Sequence, residues 1–242
     1  NDNIKIIIAY NTYLRVKEKF YRDLTTLSSF LVDDPNDQDT SSFNMAIIKT
    51  LISNNYNEKY NYQIGVEFQS ESAKGNRLLN KRQVQSNYAL FATLEHKINN
   101  ILTLRPSTRI IQNSNYKAPF ISAINMLVNL NKYKLRFSVA KGFRSPSLKE
   151  LYMEFVDINH NIVGNENLRA ETSYNYQLNN SYKYQSKNIS LNTDLNLYYN
   201  HISNKIDLNQ SSLIDGQYSY FNVDEYKTVG LSSNLNITKK NI

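Results

Sequence analysis

Apolar and polar residues alternate with period two along most of this chain, and ten segments carry the pattern clearly enough to be read as strands. The first has Ile4, Ile6, Ile8 and Tyr10 on one parity, continuing to Leu14 and Val16. Phe43, Met45 and Ile47 open a second, poorer one. In the third, Tyr62, Ile64, Val66 and Phe68 alternate with Gln63, Gly65, Glu67 and Gln69. Val84, Tyr88, Leu90 and Leu94 mark the fourth. The fifth, Ile101 to about Gln112, contains Pro106, which cannot donate to a ladder. Phe120, Ile124, Met126, Val128 and Leu130 share a face in the sixth, and Tyr133, Leu135, Phe137 and Val139 in the seventh. The eighth carries Tyr174, Tyr176 and Leu178, the ninth Ile189, Leu191, Leu195, Leu197 and Tyr199, and the tenth Val229, Leu231, Leu235 and Ile237. The phase of the ninth changes near His201, since Ile202 and Ile206 lie on the other parity, so a bulge or a strand end is expected there.

The connections alternate in length. From the first strand onward they run long (20–42), short (54–58), long (70–82), short (97–100), moderate (113–117), short (131–132), very long (145–171), short (185–188) and long (209–217). Outer-membrane barrels have short periplasmic turns and longer extracellular loops, whereas a sandwich has no reason to alternate in this way. Half-apolar strands of this length fit an antiparallel sheet and not a buried parallel one. The expected fold class is all-β, an antiparallel transmembrane β-barrel, with 145–171 as a large extracellular loop.

Composition agrees with that reading. Hydrophobic residues are 40% and the mean hydropathy is −0.55, with no apolar run long enough for a membrane helix. Only alternate residues of a barrel strand face lipid, so a low average is expected. Nineteen tyrosines and ten phenylalanines, with no tryptophan, leave the interfacial girdles to Tyr and Phe. The absence of cysteine excludes disulfides and thiolate metal sites. The net charge of +7 comes from Lys and Arg scattered among acids, which argues against a nucleic-acid partner. Solvated loops and a polar lumen account for most of it instead, with contact to lipopolysaccharide phosphates as an extra use. No Gly-x-Ser-x-Gly elbow and no pair of histidines at metal-ligand spacing is present, so no catalytic residue and no protein-held metal is assigned. A barrel enzyme is a minor alternative.

Candidate chemistry concentrates in 145–171. The seventh strand breaks at Ser145-Pro146, and Ser147 with Glu150 forms a capping-box pair for a short helical patch to Tyr152. The chain then runs through Asp157, Asn159, His160 and Asn161 to Gly164 before alternation resumes at Thr172. Gly142 and Gly164 suit tight backbone turns. Leu148, Leu151, Tyr152 and Phe155 are expected to pack the loop down upon itself. Arg144 stands at the strand mouth, positioned to attract an anionic ligand or to pair with Glu150 or Glu171. Tyr152 offers a ring for a planar ligand, although loop packing is the plainer use. His96 and His201 read as polar surface.

Two boxes bracket the loop: GFRSPSLKELY (Gly142–Tyr152, with Phe143, Arg144, Pro146, Leu148, Glu150 and Leu151) and GNENLRAETS (Gly164–Ser173, with Asn165, Leu168 and Glu171). The pair resembles the boxes that flank a large outer loop in TonB-dependent receptors, the gated uptake barrels of the Gram-negative outer membrane. That resemblance implies a 22-stranded barrel with a plugged lumen. About ten of those strands would be present here, and the plug that contacts the TonB energy-transducing complex would be absent. It also implies import of a nutrient complex, such as an iron–siderophore, haem or cobalamin, with no resident cofactor. A histidine between such boxes ligates iron in the haem-uptake members, which makes His160 a candidate haem ligand. Ser145 and Glu166 depart from that haem pattern, and the ligand stays open among iron chelates, haem, cobalamin and glycans. A passive structural or adhesive barrel is the rival to transport.

Overall fold

The computed structural model describes residues 2–33, 37–55, 57–156, 160–210, 214 and 216–239; Asp157 and Asn159 of the long loop lie outside them. Each of the ten alternating segments is a strand. They are β1 (Asp2–Lys17), β4 (Asp39–Asn55), β5 (Tyr60–Lys74), β6 (Arg82–Lys97), β7 (Leu102–Asn113), β8 (Ile121–Leu130), β9 (Tyr133–Arg144), β12 (Glu171–Gln185), β13 (Ile189–Gln210) and β14 (Tyr218–Lys239). In that order each pairs antiparallel with the next, as in a meander. Two short hairpins sit in the long connections: β2 (Phe20–Arg22) with β3 (Ser29–Leu31), and β10 (Glu154–Val156) with β11 (Asn161–Val163). Between β9 and β10 lies one helix, α1 (Leu148–Tyr152). β11 adds in parallel to the start of β14, so the main sheet has twelve strands, with β1 and β10 at its ends.

Register assigns the two faces. Ile6, Thr50, Val66, Leu90 and Ile110 are successive cross-strand neighbours, and the same outward face exposes Ile8 (75%) and Val229 (79%). On the opposite face Arg105, Asn125, Ser138 and Gln177 form one row across four strands. Aromatic pairs end the outward band. Tyr60 stacks on His96 at 4.4 Å and Tyr133 meets Tyr182 at 4.6 Å near the short turns. Toward the other end, Lys141 lies 5.7 Å above the Tyr174 ring. Tyrosine thus supplies both girdles, as its abundance suggests.

Three departures from simple alternation have physical causes. Pro106 lies inside β7, where the β6–β7 ladder omits Leu94 and Glu95 while the β7–β8 ladder runs through Pro106 unbroken. A missing N–H is tolerated where only one neighbour loses a bond. The second strand looked poor because Phe43 and Met45 point inward; its outward residues include Ile48 and Ile52. The phase change in the ninth strand is neither an end nor an inserted residue. β13 continues to Gln210 in constant register with β14, skipping only Asn204, whose φ of 56° is left-handed. Ile206 is apolar because it is buried under the long loop. The 70–82 connection is shorter than expected, covering 75–81, because β5 runs on to Lys74.

Candidate functional site

Residues 145–170 leave the end of β9, cross the inward face and return to β12. Their anchor begins with Pro146, fully buried, which ends the ladder. Ser147 then caps α1: its Oγ accepts from the Glu150 amide at 3.3 Å, and the Glu150 carboxylate accepts from the Ser147 amide at 2.7 Å. Both halves of the capping box are therefore made.

Arg144 ties this cap to the far end of the loop. Its Nε and Nη2 donate to Glu171 at 2.8 and 2.6 Å, while Nη1 donates to Glu150 at 3.0 Å. Arg144 and Glu171 are also opposite residues in the β9–β12 ladder. Of the two sequence readings for Arg144, pairing is the one found. One guanidinium fork serves two carboxylates, each about 15% exposed, a geometry that lysine cannot reproduce. Glu171 accepts in addition from the Ile206 amide at 2.7 Å, linking the clamp to β13.

The loop does more than pack upon itself. Leu148 and Met153 bury against Ala73 and Leu78, with Phe43 beside them, on the β4–β5 side. Leu151 and Leu168 bury against Ile206, with Tyr116 and Tyr220, on the β13–β14 side. Tyr152 touches both clusters, so its ring serves packing first. Backbone bonds complete the bridge: Leu79 donates to the Tyr152 carbonyl at 3.1 Å and Glu154 to the Arg77 carbonyl at 2.8 Å. Burial, with Tyr152 and Glu150 adding to it, pushes the Tyr116 phenol above its ordinary value.

Glycine at 164 is required by close approach. A β-carbon there would lie 2.7 Å from the Leu151 carbonyl carbon and the Tyr152 amide, and backbone cannot step aside. Gly142 faces Ser173 across the ladder, where a side chain would fall on the serine hydroxyl. Asn165 donates its amide N–H to the Glu150 carbonyl at 2.9 Å and its side chain to the Tyr220 carbonyl at 2.8 Å. Phe143 sits in β9 opposite Thr172, apart from the clamp. His160 is exposed just before β11, with the Phe155 ring 5.1 Å away and Arg15 4.9 Å above that ring.

Sequence reasoning missed the receiving side of this site. Tyr116, in the β7–β8 connection, and Tyr220 and Asn222 of β14 hold the loop from outside it, and Asn222 grips Arg169 through both the Arg169 amide N–H, at 2.8 Å, and its carbonyl, at 3.0 Å. Only an apolar residue on the polar parity, such as Ile206, signals such a contact from sequence. Beneath the loop a cavity of about 550 Å³ is lined by Gln69, Gln85, Arg109, Arg144 and Ser145 among others. Among the described residues no three metal-ligating side chains converge.

A long antiparallel sheet, apolar on one face and polar on the other, with a loop folded onto its polar face, is part of the wall of a transmembrane barrel. The family model "TonB dependent receptor-like, beta-barrel" matches residues 3–238, and the chain belongs to that family. Among solved structures it is similar to the siderophore receptor PirA of Pseudomonas aeruginosa, at 20% identity over 81% of this chain and 40% of that one, with a TM-score of 0.71. A mutant of the ferric enterobactin receptor PfeA of Pseudomonas aeruginosa gives 17% identity, 97% and 38% coverage, and a TM-score of 0.70. The Serratia marcescens hemophore receptor HasR, a double mutant in complex with its hemophore HasA and heme, gives 12%, 98% and 47%, and 0.63. The chain spans about two fifths of the length of the first two receptors, and at these identities the likeness is one of fold. No curated protein sequence matches the chain.

Proposed function

We propose that this chain is the barrel portion of an outer-membrane receptor that binds a scarce nutrient complex and imports it by TonB-coupled active transport. The observation that carries the reading is the loop 145–171, held across the inner face by Arg144 at its root and by apolar clusters on two walls. A loop so placed obstructs the passage unless it moves, which suits capture and gating better than a passive wall.

In this reading the long connections face the medium, so 145–171 is extracellular, and the outward band meets outer-membrane lipid and lipopolysaccharide. The energy comes from the TonB complex through a plug that lies outside this chain. The cargo class is a bulky chelate: an iron–siderophore, haem or cobalamin. Haem has one specific support, His160, an exposed imidazole beside the Phe155 ring. A neutral imidazole is a good axial ligand for haem iron, and an adjacent ring can lie against the macrocycle.

Growth tests the transport reading. A strain lacking the gene should fail on one ferric siderophore, on haem or on cobalamin as the limiting source, and should be rescued only where TonB is intact. Normal growth on every source, or rescue without TonB, would favour a structural or adhesive barrel. For haem, the intact receptor should shift the Soret band of haemin. His160→Ala should abolish that shift, with His96→Ala as the control for non-specific binding. An unchanged shift in the His160 variant would remove haem and leave siderophore or cobalamin.

A further inference from the structure

Lys74 and Arg82 are directly opposed in the β5–β6 ladder, two cations in an arrangement where like charges destabilise a sheet. Ala73 and Gln85, of the opposite parity, are buried on the inward side, so Lys74 and Arg82 point outward. Lys81 stands beside them at the turn that joins the two strands, and all three are exposed. None of them makes an ion pair, side-chain hydrogen bond or ring contact with a described residue. β5 and β6 lie inside the sheet, between β4 and β7, and their outward side is closed to anything held in the lumen.

Register gives the height of these charges. On the outward face of the same two strands, Tyr60 stacks on His96 at 4.4 Å and Phe68 meets Tyr88 at 5.0 Å. At about 3.4 Å per residue and a tilt of about 35–45°, the two ring pairs stand about 20 Å apart, most of an apolar band about 25 Å tall. The next outward row is polar: the Ser86 hydroxyl donates to the Ser70 hydroxyl at 3.1 Å. Beyond it, past Ser72 and Val84, Lys74 and Arg82 lie about 10 Å higher by the same geometry. The headgroup layer of an ordinary bilayer is only about 5–8 Å deep, so phosphate at this height belongs on a larger, saccharide headgroup. The tip is held firmly. Leu78 is buried against Ala73, Leu148 and Met153, and Gln83 Nε2 donates to the Leu79 carbonyl at 2.8 Å. Lys81 keeps a left-handed φ of 58°, which favours glycine or asparagine, so a cation is held there at a cost to the backbone.

We propose that Lys74, Lys81 and Arg82 form a binding site for the phosphates of lipopolysaccharide on the outer rim of the barrel wall. The proposal rests on the reading that the outward band meets outer-membrane lipid and that the long connections face the medium. Arg82 offers a planar fork for phosphate oxygens, and the two lysines place point charges around it. A phosphate between Lys74 and Arg82 turns their mutual repulsion into two attractions. The site shares no residue with the loop clamp or with His160, so it is independent of the cargo.

Purified phosphorylated lipopolysaccharide is the probe, titrated against the intact receptor in neutral detergent. Binding should saturate, and should weaken as salt rises from about 0.02 M to 0.3 M because the charges are exposed. K74Q and R82Q should each weaken it about threefold, and the double variant about tenfold. K81G should weaken it as well while leaving the barrel as heat-resistant as before, since glycine takes a left-handed φ without strain. K132Q removes one charge at the opposite rim, where Lys132 lies over the Tyr184 ring, and should bind as the unaltered receptor does. Each variant is first shown to be heat-modifiable, so that lost binding is not lost folding. Equally tight binding of dephosphorylated lipopolysaccharide, or of phosphatidylglycerol in the same detergent, would overturn the proposal. So would undiminished binding in the double variant or in K81G, or an equal loss in K132Q. If the two faces were misassigned, Leu195→Arg would assemble as well as Asn196→Arg; correct faces without phosphate dependence would count against this site alone. No uptake is measured, so the import reading is tested separately.

Discussion

Leu195→Arg is expected to impair assembly in lipid far more than Asn196→Arg, its neighbour in the same strand. Leu195 belongs to the outward row of β13, 40% exposed, with Leu197 two residues on. Asn196 points inward, where its Oδ1 accepts from Gln177 Nε2 at 2.8 Å. An arginine on the lipid face near the bilayer midplane costs about 2–4 kcal/mol, because its guanidinium must be dragged to an interface or hydrated within hydrocarbon. An inward arginine stays in water and loses one hydrogen bond, about 0.5–1.5 kcal/mol. Leu135 and Phe137 on β9 should behave like Leu195, and Ser138 like Asn196. The measurement is the yield of heat-modifiable, protease-resistant barrel after refolding of the intact receptor into vesicles. Equal losses for the two variants would show that the two faces have been assigned wrongly.

The strands were legible because lipid on one side and water on the other impose a period of two that the chain cannot evade. Tyr62 to Phe68 and Leu191 to Tyr199 carry it almost without exception, and both are strands with the expected faces. The pattern blurs where a third environment enters. Phe43 and Ile206 are apolar on the inward side because the loop packs onto them, so the sequence there looks like a weak strand or a phase change. The strands of the two short hairpins, three residues each, are too short for any period to register. Within the loop, the cap was readable because Ser147 and Glu150 are neighbours, whereas the grip of Asn222 on Arg169 joins residues 53 apart and leaves no local trace.

Arg144→Ala should release the loop while leaving the barrel folded. The guanidinium joins the start of the loop, the cap of α1 and the start of β12 through bonds of 2.6 to 3.1 Å. Without it, Glu150 keeps its bond from the Ser147 amide and Glu171 its bond from the Ile206 amide, but two like charges remain side by side. Hydrogen bonds to charged groups contribute about 1.5–3 kcal/mol each when buried, and the half-exposed Arg144 places the loss toward the lower end. Amide exchange in 147–152 should therefore quicken by about tenfold or more, since about 1.4 kcal/mol corresponds to a factor of ten. Exchange in β5 and β13 should not change. R144K should fall between, because an ammonium offers no planar fork for two carboxylates. Arg169→Ala is the control: its ion pair with Asp224 is 62% and 88% exposed and contributes little. If the triple variant R144A/E150Q/E171Q regains protection, the released charge was what opened the loop. Protection unchanged in R144A, or lost equally in the Arg169 variant, would mean that the apolar clusters around Leu148 and Leu151 hold the loop without the clamp.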